Sequence, residues 1–168
     1  MAELTPKEKL QPSLLDRLTD DEPDRQKESR DKRILTGMQL RESVRRDLSW
    51  LLNNTCMQAV QDLDAYPHVA QSTLNYGVPD LAGKTASTVD VKELEKSLRA
   101  AILTFEPRLL RESIRIKLGS NPKETPHNAL SYVIEAELWA QPVPLRVFLK
   151  TDLDLETGEI AVAETTPD

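Results

Sequence analysis

Between Phe105 and Ile114 the hydrophobic period of this chain changes from about 3.6 residues to about 2, and that switch limits the fold more than any other feature. Upstream, Leu40, Val44, Leu48 and Leu51/Leu52 recur at helical spacing, which predicts an amphipathic helix from about Gly37 to Asn53. A shorter helix is predicted over Cys56 to Asp64, burying Met57, Val60 and Leu63. Asp90-Val91-Lys92-Glu93 reads as a capping box, an N-cap acid with Glu three residues on. The helix after it carries Val91, Leu94, Leu98, Ala101, Ile102 and Phe105 on one face. It ends at Glu106-Pro107, because proline disfavours α geometry in the residue before it.

Downstream, Ile114, Ile116 and Leu118 alternate with Ser113, Arg115 and Lys117, the pattern of a half-buried strand, which Gly119-Ser120-Asn121-Pro122 ends. A second strand is predicted over Leu130 to Trp139, with Leu130, Tyr132, Ile134, Ala136 and Leu138 on one face. A third runs from Val143 to Asp152, with Val143, Leu145, Val147 and Leu149 inward. The short connection Ala140-Gln141-Pro142 makes these two an antiparallel hairpin. Asp154 to Gly158 is a turn, and Glu159 to Ala163 adds a short strand. Helices first and strands afterwards give an α+β fold. Two main helices and shorter ones pack on one face of a three- or four-stranded, mainly antiparallel sheet. The opposite face carries Glu135, Glu137, Arg146, Phe148 and Lys150.

The domain spans residues 34–163, with a frayed polar end at 164–168. Residues 1–33 form a tail dominated by charge from Asp16 to Arg33, too poor in apolar residues to offset the entropy of ordering. Leu14, Leu15 and Leu18 are the exception. They share one face of a helical turn behind a possible Ser13 cap, and either dock back on the domain or bind a partner as a linear motif. Tyr66 to Ser87 reads as loop with one helical turn, and Asn75-Tyr76-Gly77-Val78-Pro79-Asp80 is dense in turn residues. A long irregular stretch in a compact domain is often functional or held by a partner.

The composition removes several function classes. A net charge of −6 disfavours a phosphate backbone as partner, and 4% aromatics disfavour a base-stacking module. One cysteine, Cys56, permits no internal disulfide or Cys-rich zinc site and fits a reducing compartment. The N-terminus lacks the apolar core of a secretory signal, and no apolar run approaches the roughly 18 residues of a membrane span, so a cytoplasmic location is expected. Phosphate-loop, nucleophile-elbow and zinc-helix motifs are missing, so no cofactor or metal is expected. His68 and His127 each follow a proline in loop-like sequence, without a second ligand at metal spacing.

Glycoside hydrolysis would need two carboxyl groups flanking a sugar, one with a raised pKa. Glu106 lies between Phe105 and Pro107, but Arg108 is two residues away, and a neighbouring cation lowers a carboxylate's pKa. Glu106 and Arg108 flanking Pro107 are held in fixed relative positions, and arginine offers a fork for two acceptors. Such a corner either locks the Asn75–Asp80 loop internally or clamps a partner. Arg41, Arg45 and Arg46 bind an acidic protein or phosphate, or form a solvated helix face with Glu42 and Asp47.

Taken in order, four segments form a set: Leu14 to Leu18, Leu40 to Asn53, Ser72 to Asp80, and Phe105-Glu106-Pro107-Arg108-Leu109. That set resembles the baseplate-wedge family of contractile injection machines, most closely its type VI secretion branch, which is related to a wedge protein of contractile-tailed phages. The resemblance implies a structural subunit in a large multi-subunit complex. Its partners would be baseplate wedge proteins and contractile sheath subunits, without nucleic acid or direct membrane insertion. It implies partner contacts at Glu106, Pro107 and Arg108 and at the tail leucines; Arg41, Arg45, Arg46, Asn75 and Tyr76 are the further interface candidates. The sheet would resemble the sheath's docking domain, which neighbouring strands complete. The family also carries a lysozyme-like label, so a peptidoglycan-cleaving enzyme is the alternative. It requires Glu106 in an open cleft about 5–10 Å from a second carboxylate.

Overall fold

A computed structural model describes residues 12–19, 23–24, 35–84, 88–118, 129–140 and 144–165. Helices α1 (Leu14–Leu18), α2 (Gly37–Leu52), α3 (Pro67–Ala70) and α4 (Val91–Phe105) precede strands β1 (Arg115–Leu118), β2 (Ala129–Leu138), β3 (Leu145–Asp154) and β4 (Ile160–Glu164). The strands form one antiparallel sheet in the order β1-β2-β3-β4. The architecture is the expected α+β one, with α2 and α4 laid on one sheet face.

Helix α2 starts at Thr36. Its hydroxyl accepts the Gln39 N–H while the Gln39 side chain accepts the Thr36 N–H, a reciprocal cap absent from the sequence reading. At α4 the Asp90 carboxylate accepts the Lys92 and Glu93 N–H groups. The expected return arm is replaced, since Glu93 pairs with Lys96 at 3.6 Å. Leu40, Val44, Leu48, Leu94, Leu98 and Ile102 from the helices meet Ile116, Ile134, Leu138, Val147, Leu149 and Leu153 from the sheet, all buried. All but Leu153, which lies beyond the expected end of its strand, are positions where the helical and alternating patterns predicted a core. Strand β3 runs two residues beyond its expected end. Val143, Gln141-Pro142 and the turn Gly119 to Pro122 lie outside the described residues, as does His127. At the C-terminus, Glu164 belongs to β4 and the Thr165 N–H donates to the Phe148 carbonyl, so the ladder extends past the expected boundary.

The segment between α2 and α4 departs from expectation. Cys56 to Asp64 is one 3₁₀ turn, Met57–Ala59, and not a helix. Cys56 and Leu63 are buried, but Met57 and Val60 are exposed. The cause is backbone pairing: the Cys56 N–H donates to the Val78 carbonyl and the Val78 N–H to the Asn54 carbonyl, which holds the chain extended at Thr55. Gly77 permits this approach. Its φ is +131°, and a Cβ there would sit 2.2 Å from the Asn54 carbonyl oxygen. Among its described residues the 66–87 stretch holds two short helical pieces, α3 and a 3₁₀ turn at Thr73–Asn75, where one was expected.

Candidate functional site

The end of α4 builds the corner. The Glu106 N–H makes the last helical bond, to the Ile102 carbonyl, and Pro107 then turns the chain. Arg108 folds back on Glu106: its Nε donates to Oε1 at 2.7 Å, its Nη2 to Oε2 at 2.6 Å, and its backbone N–H to Oε1 at 3.2 Å. This is a bidentate fork on a carboxylate only 4% exposed. The same guanidinium reaches α2, donating to Asp47 Oδ2 and, at 3.0 Å, to Ser43 Oγ. Burial works against the cation, but the bonds and charges of Glu106 and Asp47 outweigh it and raise the Arg108 pKa.

The network continues into the tail. Arg46 donates from Nε and Nη2 to Asp47 Oδ1 at 3.0 and 2.7 Å, and its Nη1 pairs with Asp16 Oδ1 at 2.7 Å. Asp16 Oδ2 accepts from Ser43 Oγ at 2.8 Å and from its own helix cap, Ser13 Oγ, at 2.7 Å. Burial opposes the charged form of Asp16. Hydrogen bonds from Ser13, Ser43 and Arg46 outweigh it and hold the carboxyl down at about 2. Carboxylates and guanidiniums thus alternate from Glu106 through Arg108, Asp47 and Arg46 to Asp16, with Ser43 bridging the middle. The Arg46 guanidinium also lies 4.9 Å from the Trp50 ring centroid.

Docking of α1 is inverted relative to an ordinary amphipathic helix. Its acidic residue, Asp16, faces the domain, while Leu14, Leu15 and Leu18 are 71%, 46% and 74% exposed. The tail leucines therefore do not join the domain core. Helix formation there follows from Ser13 capping it reciprocally with Asp16.

The remaining candidates separate. Arg41 and Arg45 turn toward β4: Arg45 Nη1 donates to the Val162 carbonyl at 3.0 Å and its Nε to Glu42, and Arg41 lies 3.8 Å from Glu164. Only Arg46 of the three reaches the corner network. Asn75 is buried and works inside its loop, accepting the Gln58 N–H and donating to the Ala70 carbonyl. Among the described residues, Tyr76 is the one that ties this loop to the corner. Its ring meets Phe105 edge-on at 5.2 Å and its hydroxyl donates to the Asp47 carbonyl at 3.4 Å. The expected internal lock of Glu106 and Arg108 on the Asn75–Asp80 loop is thus a lock on α2. Ser43, Asp47 and Asp16 complete the site and were not singled out from sequence. Ser43 and Asp47, one turn apart beside the apolar stripe of α2, were the available signal.

Among the described residues no group of side chains could hold a metal ion. No described helix is long and apolar enough to cross a membrane. Glu106, buried with both oxygens bonded to Arg108, lacks the open cleft that the glycosidase reading requires.

The chain is thus a two-layer α+β domain whose corner charges are engaged with one another. The model of the baseplate wedge protein gp25 family matches residues 38–143, and the chain belongs to that family of baseplate structural proteins, which includes the type VI secretion subunit TssE. The match covers α2 through β2 and leaves α1, β3 and β4 outside it. No curated protein and no solved structure matches the chain.

Proposed function

We propose that the chain is the TssE-type baseplate subunit of a type VI secretion machine and joins the baseplate wedge to the contractile sheath. The carrying observation is the inverted tail helix. Three leucines held out in water by an ionic clamp on their opposite side offer apolar area at low ordering cost to a wedge partner. The Glu106-Pro107-Arg108 corner lies at the other end of the same network, so wedge contacts at Arg108 and at the leucines belong to one rigid surface. The antiparallel sheet is the part directed at the sheath. In this reading the protein works in the cytoplasm and meets the membrane only through the assembled machine.

The test is co-purification of this chain with co-expressed wedge proteins. A Leu14→Ser/Leu15→Ser/Leu18→Ser variant with an unchanged circular dichroism spectrum should lose the wedge proteins that wild type retains. Equal retention by both would remove the leucines from the interface.

A further inference from the structure

Exposed apolar side chains are ordinary on a protein surface when scattered, and need a reason when they gather. Among the described residues outside the tail, seven large hydrophobic side chains are exposed. Four of them, Met57, Val60, Tyr66 and Leu74, fall between the end of α2 and Asn75, and Val60 and Leu74 are 85% and 69% exposed.

The frame that carries them is fixed. Buried Asn75 is its hub: its side-chain oxygen accepts the Gln58 N–H and its amide nitrogen donates to the Ala70 carbonyl, both at 2.9 Å. The turn Met57–Ala59 and helix α3 are thereby tied to the turn Thr73–Asn75. Leu63 is buried and anchors the stretch between the first two, and its carbonyl accepts the Tyr66 N–H at 2.8 Å. Three segments that bear apolar side chains thus meet around one buried amide. Leu63 and Asn75 carry the packing, so the fold does not require Val60 or Leu74 to be apolar. A partner would find these side chains on an already ordered backbone, which lowers the entropy cost of binding.

The charge of the same stretch is one-sided. From Asp47 to Gly83 the chain has no lysine or arginine, although it carries 22 in all. Asp62 and Asp64 are exposed, and Asp62 Oδ1 accepts the Asp64 N–H at 2.9 Å, which sets both in one turn. Neither pairs with a cation among the described residues. An apolar surface with an acidic rim is complemented by an apolar surface rimmed with lysine and arginine. Tyr76, next to the hub, bonds to Asp47 and meets Phe105, so this surface and the Glu106-Arg108 corner stand on one frame.

We infer that the surface formed by Met57, Val60, Tyr66 and Leu74 is a second docking site, which receives a basic, apolar segment of a baseplate wedge protein. Aliphatic side chains of that segment cover Val60 and Leu74, its cations pair with Asp62 and Asp64, and the Tyr66 ring offers its face to one of them. This rests on the baseplate reading above and adds to it a contact that uses neither the tail leucines nor Arg108.

A benzophenone amino acid at position 60 or 74 of the full chain, co-expressed with wedge and sheath subunits and irradiated, tests it. Crosslinks to a wedge protein are expected, located by mass spectrometry at a stretch with lysine or arginine beside aliphatic residues. With the purified wedge complex, a Val60→Ser/Leu74→Ser variant of unchanged circular dichroism should bind about tenfold more weakly or worse. Asp62→Asn/Asp64→Asn keeps an acceptor in the turn, and should weaken binding at low salt but little at high salt. Crosslinks only to the sheath or to a second copy of this chain, a crosslinked stretch without cations, or undiminished binding by either double variant at low salt would overturn the inference. So would a retained wedge complex with no wedge crosslink from either position, which leaves the baseplate reading intact. A wild-type chain that retains no wedge protein would sink the reading and the inference together.

Discussion

Replacing Arg108 by alanine removes the cation that ties α4 to α2. Glu106 would stay buried and lose both side-chain bonds to its oxygens. Asp47 would retain Arg46, and Ser43 would retain Asp16, so the cost concentrates on Glu106. Breaking one partner of a buried ion pair costs about 3–5 kcal/mol, a large share of the roughly 5–15 kcal/mol by which a domain is stable. Replacing both partners, as Glu106→Leu/Arg108→Met, should restore most of the loss, since a well-packed apolar pair is often as stable as the ion pair. Urea unfolding measures this as a large drop in midpoint for the single variant and a small one for the double, at constant slope. A single-variant cost below about 1 kcal/mol would place the pair in the range of exposed surface bridges and refute the reasoning. The double variant also separates lock from clamp. If it folds and still retains the wedge proteins, Arg108 works only inside the domain; if it folds and loses them, the guanidinium contacts the partner.

Four further outcomes are expected. Asp16 has a folded pKa of about 2 against 3.8 for the free group, so its contribution is complete above pH 4 and is lost as pH falls through 2. The contribution is about 2 kcal/mol, and Asp16→Asn at neutral pH should remove amide-exchange protection of α1 without changing that of α4. The Leu14→Ser/Leu15→Ser/Leu18→Ser variant should unfold within about 0.5 kcal/mol of wild type, because exposed side chains contribute little; a larger loss would mean the leucines pack on the domain in solution. Gly77→Ala forces a Cβ into the Asn54 carbonyl and an unfavourable φ, and should cost about 3 kcal/mol or more in thermal unfolding. Asn53→Ala frees both Ile160 backbone groups; a loss of about 1–3 kcal/mol is expected, with concentration-dependent self-association in ultracentrifugation.

Where burial alone decides the residue, the pattern in the sequence was enough. Leu40, Val44, Leu48 and the alternation through Tyr132, Ile134, Ala136 and Leu138 located the helix and strand faces, because period and apolarity report the same physical demand. The Cys56 to Asp64 helix failed because a distant segment, Val78, competes for its backbone, and no local pattern carries that. The corner was half legible. Glu106 and Arg108 are neighbours in sequence and their pairing follows from proximity. Their partners Ser43 and Asp47 lie more than 60 residues away, and only packing of α4 against α2 brings them within reach. The role of Asp16 was hidden for the same reason: it lies on the face of α1 opposite the leucines on which the sequence reading rested.

The Asn53 amide on Ile160 has a consequence for growth of the sheet. A sheet with two free edges can be extended from either side, and copies of it can polymerise by repeating one contact. Here the Ile160 N–H and carbonyl are taken by Asn53 and the Val162 carbonyl by Arg45, so copies of this chain meeting at the β4 edge would find those backbone groups already bonded.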